Sequence, residues 1–173
     1  MTRSVSAEIE PLHVDCDVSR FSCGKPALDT WLRSRALRNQ QTGDSRTFVL
    51  CEDRRVVAFY ALTAACAARV SLTGALRRNA PDPVPLMLLG QLAVVGSHQG
   101  KGLGSRLLRD ALMRVARASR HVGFRALATH PIDDEAQGFY ARYGFTVVPD
   151  SQPRLMVLPL LRLLAALQAA RRK

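Results

Sequence analysis

"HQGKGLGSRLL", His98 to Leu108, places Gly100, Gly102 and Gly104 within five positions and runs straight into leucines. Glycine at that density serves a backbone that turns through positive φ or that must come close to another group. The stretch follows "LMLLGQLAVV", a continuous apolar run read as a central strand buried on both faces. It precedes "SRLLRDALMRVARASRH", where Leu107, Leu108, Ala111, Leu112 and Val115 recur at helical spacing and arginines fill the rest. A strand, a glycine turn and a helix N-terminus together offer free N–H groups and the positive end of a helix dipole to an anion. Two phosphate-binding patterns fit poorly. A P-loop needs Lys after its last glycine, and Lys101 stands between glycines. A dinucleotide fingerprint needs a third glycine where Ser105 stands.

Upstream, "GKPALDTWLRSRALRNQ" predicts one helix with Pro26 near its start, Leu28, Trp31, Leu32 and Ala36 on one face, and Arg33, Arg35 and Arg38 solvated. "SRTFVLCE" and "RVVAFYALTAAC" predict a hairpin turning at Asp53–Arg54, and "NAPDPVP" a loop, since its prolines do not suit a strand interior. Downstream, "FRALATH" reads as an alternating strand. "DDEAQGFYARYG" reads as a helix with acids at its N-terminus and Gly144 just past its end. "FTVVP" and "PRLMVLPL" read as closing strands, and residues 159–173 as a C-terminal helical extension. A hairpin followed by alternating strands and helices predicts an α/β fold with a mixed central sheet flanked by helices. At 173 residues the chain is read as a single domain, 1–173.

The 25 Lys and Arg against 14 Asp and Glu give a net charge of +11, and nearly all the cations are Arg. Such a field attracts an anionic partner, nucleic acid first among them. Cys16, Cys23, Cys51 and Cys66 show no CxxC spacing and no histidine cluster, so no metal site is expected. "MTRSVSAEIE" has no apolar core of an export signal, and the longest apolar tract is too short to span a bilayer. The expectation is a cytoplasmic protein with no membrane partner.

"HQGKGLG" after "LAVV" resembles motif A of the Gcn5-related N-acetyltransferases (GNAT), Q/R-x-x-G-x-G/A, with Gln99, Gly102 and Gly104 in place. "AQGFYARYGF" resembles their motif B through Ala136, Phe139, Tyr140, Gly144 and Phe145. The resemblance implies the acyl-CoA N-acyltransferase fold and acetyl-CoA as cofactor. It places the pyrophosphate on the turn from Gln99 through Gly100, Lys101, Gly102, Leu103, Gly104 and Ser105. It places the pantetheine arm along the backbone of Leu92, Ala93 and Val94, with Phe139 beside the cofactor. It also implies Tyr140 as the catalytic residue, a phenol that protonates or positions the departing thiolate.

"RFSCGKPALDTWLRSRALRNQQTGDSRTFV" is similar to the N-terminal half of the acetyltransferase toxins of bacterial toxin–antitoxin pairs. The match runs from Phe21, Cys23 and Gly24 through Asp29 and Trp31 to Asn39, Gln40, Gly43 and Ser45–Val49. That resemblance implies acetyl transfer to the α-amine of an aminoacyl-tRNA, blocking translation. It implies as partner a ribbon-helix-helix antitoxin, through which alone DNA is met, and leaves a homodimer open. Arg46, Arg77 and Arg78 are the candidate tRNA contacts. An α-amine with a pKa of roughly 7.7–8.0 needs no dedicated base, and His98 and His130 are only available, not assigned. Two other readings stay open on these residues. One is a GNAT enzyme acting on a protein N-terminus or small amine; the other is a basic RNA-binding module without catalysis.

Overall fold

The structure is a computed structural model and describes residues 8–172. The first seven residues of the segment read as free of an export signal, and Lys173 of the C-terminal extension, lie outside the described residues. Seven strands form one sheet in the order β1-β2-β3-β4-β5-β7-β6. They are β1 (Glu10–Pro11), β2 (Arg46–Glu52), β3 (Arg55–Ala67), β4 (Val84–Val94), β5 (Ala126–Thr129), β6 (Thr146–Val147) and β7 (Met156–Pro159). β4 and β5 pair in parallel, while β1–β2, β2–β3, β5–β7 and β6–β7 are antiparallel, so the sheet is mixed as expected. The helices are α1 (Pro26–Trp31), α2 (Leu37–Thr42), α3 (Gly74–Arg77), α4 (Leu103–Ala118), α5 (Asp134–Ala141) and α6 (Leu160–Ala170). Among the described residues no helix is long and apolar enough to cross a membrane.

The chain divides into two compact units. One takes the chain up to Thr63 and Gly90–Ala111; the other takes Ala64–Leu89 and the chain from Leu112. In the first, Leu12, Phe21, Leu32, Ala36, Val49, Val56, Phe59 and Ala93 form the core. Phe59 meets Phe21 edge-on at 5.3 Å and stacks on Trp31 at 6.0 Å. The hairpin turns where expected: Asp53 and Arg54 both have positive φ (48° and 69°), as a two-residue hairpin with the right-handed strand twist demands. The helix predicted over residues 24–40 is interrupted, because Leu32–Ala36 is a π-helical turn joining α1 to α2. Arg33 is not merely solvated, since its guanidinium donates to the Phe21 carbonyl at 2.7 Å. Inside this unit the Asp29 carboxylate, itself buried, accepts the Cys23 N–H at 2.8 Å and so fixes the loop before α1.

In the second unit Leu72, Leu76, Val84, Leu86, Ala126, Ala128, Val148 and Val157 form the core. Pro85 lies inside β4, contrary to the loop reading; its position next to the strand start costs no central ladder bond, and its carbonyl accepts from Arg125 N–H at 2.8 Å. β5 is buried at all four positions instead of alternating. It is paired on both edges, to β4 and to β7, and covered on both faces. β4, read as buried on both faces, is only half so: Leu86 and Leu89 are buried while Met87 and Leu88 are partly open. The helix at residues 160–170 is present as α6, following β7 without a loop.

Candidate active site

Within the first unit, β4 ends at Val94 and a 3-10 turn, Gly96–His98, leads to the glycines. Backbone bonds from Val95 N to Val57 O (2.8 Å) and from Gly96 N to Ser22 O (2.9 Å) hold that exit in place. Gln99 does not present its side chain to a ligand. Its amide donates to the carbonyls of Cys23 (2.8 Å) and Val94 (2.9 Å), so it is a bolt between the turn, the strand end and the loop before α1. The Val94 carbonyl, expected along the pantetheine arm, thus already accepts one hydrogen bond. Ala93 is buried, and Leu92 and Val94 are half-buried.

Gly100 and Gly102 sit at φ +73° and +80°, and a methyl group built on either would meet nothing within 4 Å. Their glycine identity therefore answers to backbone conformation and to open space in front of the turn, not to a neighbouring wall. α4 starts at Leu103, and Arg106 N–H is the first donor to close back, on Gly102 O at 3.1 Å. The amides of Leu103, Gly104 and Ser105 precede that closure and lie at the positive end of a sixteen-residue helix. This surface fits a pyrophosphate, and exposed Lys101 adds a positive charge beside it. Its helix is anchored by Leu107, Leu108 and Ala111, all fully buried, which keeps the turn from drifting.

Within the second unit, Asp133 caps α5 by accepting Ala136 N–H at 2.8 Å, with Asp134 and Glu135 in the first turn. The helix carries Tyr140 inward: it is 6 % exposed, with Phe139 and Phe145 at 5.2 and 5.5 Å between ring centres. Gly144 follows at φ +88°, as its position after a helix end requires. Phe139 is half-buried and packs on Tyr140, on Tyr143 at 5.5 Å and under the Arg142 guanidinium at 5.8 Å. The Tyr140 phenol hydrogen-bonds the Thr129 side chain, and burial pushes it up to about 12, the Thr129 contact acting the other way. Thr129 is itself 1 % exposed and donates its hydroxyl to the Leu89 carbonyl at 2.9 Å. The phenol therefore keeps its proton near neutral pH. Thr129 was not singled out by sequence; its signal was a hydroxyl closing the otherwise apolar strand "ALAT".

The same unit holds a cavity of about 700 Å³, walled by Ala65, Cys66, Leu86, Leu88, Ala128 and the 148–155 segment. His130 stands on its wall, with Nδ1 2.9 Å from the Arg154 carbonyl. A carbonyl only accepts, so Nδ1 is the donor in this hydrogen bond. His98, in the first unit, is instead taken up by Ser97 Oγ (2.9 Å) and Glu52 (3.7 Å). Of the arginines, Arg46 is exposed and already donates to the Gln40 carbonyl at 2.7 Å, tying α2 to β2. Arg77 and Arg78 are exposed at the end of α3.

Residues 43–147, which include the glycine turn and Tyr140, match the acetyltransferase (GNAT) domain family. The chain is 49 % identical over 142 residues to a tRNA-acetylating toxin of Mycobacterium tuberculosis, covering 82 % of this chain and 86 % of that protein. Its fold matches AtaT complexed with acetyl-methionyl-tRNAfMet, with a TM-score of 0.84 at 27 % identity, over 95 % of this chain and 99 % of that one. It also matches a tyrosine-to-phenylalanine mutant of the AtaT toxin bound to the C-terminus of the antitoxin AtaR and acetyl-CoA. There the TM-score is 0.77 at 28 % identity, over 92 % of this chain and 96 % of that one. From the glycine turn to the buried phenol, the residues described above fall within the matched span, and the chain belongs to the GNAT acetyltransferase family.

Proposed function

We propose that this protein is a toxin that transfers acetyl from acetyl-CoA to the α-amine of an aminoacyl-tRNA, and that one catalytic domain comprises the whole chain. The observation that carries the chemistry is Tyr140, a buried phenol pushed up to about 12 and held by Thr129. The likeness to a tRNA-acetylating toxin over 82 % of the chain supports the substrate.

Acetyl-CoA supplies an activated thioester. The backbone amides of the Gly100–Ser105 turn hold its pyrophosphate, and Gln99 keeps that turn in register with β4. When the amine attacks, a C–N bond forms and the C–S bond breaks. The sulfur takes the Tyr140 proton, and Tyr140 recovers one from the nitrogen, so the products are an amide and a thiol. The α-amine has a pKa of roughly 7.7–8.0, which the neighbouring ester lowers further, so a substantial fraction is neutral near neutral pH and no dedicated base is assigned.

The Arg excess serves the tRNA backbone, where phosphate contacts position a substrate without reading its sequence. Arg77 and Arg78 are the stronger candidates, because one N–H of Arg46 is already engaged. The same charge suits an acidic tail of an antitoxin, which resembles AtaR in role and brings DNA to the complex. The site of action is the cytoplasm, where charged tRNA is found. The test is incubation with labelled acetyl-CoA and total charged tRNA. Label in the aminoacyl fraction supports the reading; label only in protein overturns it.

A further inference from the structure

We infer that Glu10, Cys16 and Cys51 form a zinc site that pins the N-terminal edge of the sheet, independently of the acetyl-transfer chemistry. One carboxylate oxygen and the two thiol sulfurs all lie within 4.8 Å of one another. Two thiolates and a carboxylate around one point are the donor set of tetrahedral zinc, whose soft sulfur ligands exclude magnesium and calcium. A modest closure of these side chains reaches coordination distance. Water would fill the fourth position; His13 Nε2 lies 4.0 Å from the Glu10 carboxylate but outside this set.

The fold delivers each ligand from a fixed piece of backbone. Glu10 lies in β1, registered opposite Val49 of β2. Cys51 follows the one irregularity in the β2–β3 ladder, between Leu50 and Cys51, and such a bulge re-aims the side chain next to it. Cys16 closes a turn onto His13 (3.0 Å), and the next residue is bonded on both sides. Asp17 N donates to Arg54 O at 2.8 Å, and Asp17 O accepts from Val56 N at 2.9 Å. The Cys16 loop is therefore docked on the hairpin before any ion arrives, which lowers the entropy cost of assembling the ligands. The two cysteines are far apart in sequence, and this is why cysteine spacing alone pointed to no metal.

The experiment is cobalt and zinc titration of the metal-stripped full-length protein under reducing conditions. The expected result is one cobalt per chain, with thiolate-to-cobalt charge-transfer absorption and the intense visible bands of a tetrahedral centre. Cys16→Ser, at a half-exposed position that tolerates the change, should abolish the charge-transfer band. Glu10→Gln should weaken zinc binding by about tenfold or more, and Cys66→Ser should leave it unchanged. Zinc should raise the Tm of the native protein and not that of Cys16→Ser. Absence of the charge-transfer band overturns the inference, as does equal loss in Cys66→Ser. So does recovery of Cys16 and Cys51 only as a disulfide that takes up no metal.

Discussion

The Gln99 side chain donates to the Cys23 carbonyl at 2.8 Å and thereby joins two stretches that lie far apart in the chain. One is the loop that Asp29 fixes through the Cys23 amide; the other is the glycine turn before α4, the pyrophosphate seat in the proposed function. Gln99→Ala removes this bond and the one to Val94, leaving two carbonyls to find other partners, and should cost about 1–3 kcal/mol of stability. Its functional effect should fall on the KM for acetyl-CoA, with kcat nearly unchanged at saturation. Steady-state kinetics at varied acetyl-CoA checks this; a pure kcat loss would contradict the positioning role.

Gly102→Ala separates conformation from occupancy. The residue is at φ +80° and the new methyl meets no neighbour, so unfolding measurements should show only the left-handed penalty, about 1–2 kcal/mol. Acetyl-CoA affinity should fall by more than that penalty accounts for if, as proposed, the open space the methyl enters is where the pyrophosphate binds. Calorimetric binding equal to that of the native protein would show the turn to be a connection and nothing else.

Thr129→Val keeps shape and removes the hydroxyl behind Tyr140. The Leu89 carbonyl loses its donor at 2.9 Å, and stability should drop by about 1–3 kcal/mol. With the phenol no longer oriented, kcat should fall by about tenfold while the KM for acetyl-CoA holds. Thr129→Ser should restore most of kcat, which a purely packing role would not predict.

Tyr140 also sets an alkaline signature. Its phenol is raised from 10.0 to about 12 in the folded protein, so the fold holds this proton more tightly than the unfolded chain does. The resulting stability is present in full below pH 10 and is lost as pH rises through 12, an effect on the order of 2 kcal/mol. The stability difference between the native protein and Tyr140→Phe should be constant up to pH 10 and then shift in favour of the variant. Denaturant unfolding across that range measures it, and parallel curves would contradict the burial of the phenol.

What could be read from sequence was what local patterning dictates. The buried stripe of α4 and the Asp53–Arg54 turn depend on residues close in the chain, and both appear where expected. β1 could not be read, because Glu10 and Pro11 become a strand only by pairing with Val49 and Phe48. The alternation expected of "FRALATH" failed for a similar reason: two neighbouring strands bury a segment whose own pattern is short. Motif resemblance brought Tyr140 and the glycine turn into view. It did not show that Gln99 is spent on Cys23, or that Thr129 stands behind the phenol, since each partner is distant in sequence.

Acetyl transfer to charged tRNA by the native protein and by Tyr140→Phe, side by side with labelled acetyl-CoA, tests the central claim most directly. Tyr140→Phe keeps the ring packing against Phe139 and Phe145 and removes only the donated proton. The account predicts label on the aminoacyl fraction with the native protein, and a rate at least about a hundredfold lower with the variant, in line with the loss of a general acid. An unchanged rate in Tyr140→Phe, or label that never reaches the aminoacyl group, would contradict it.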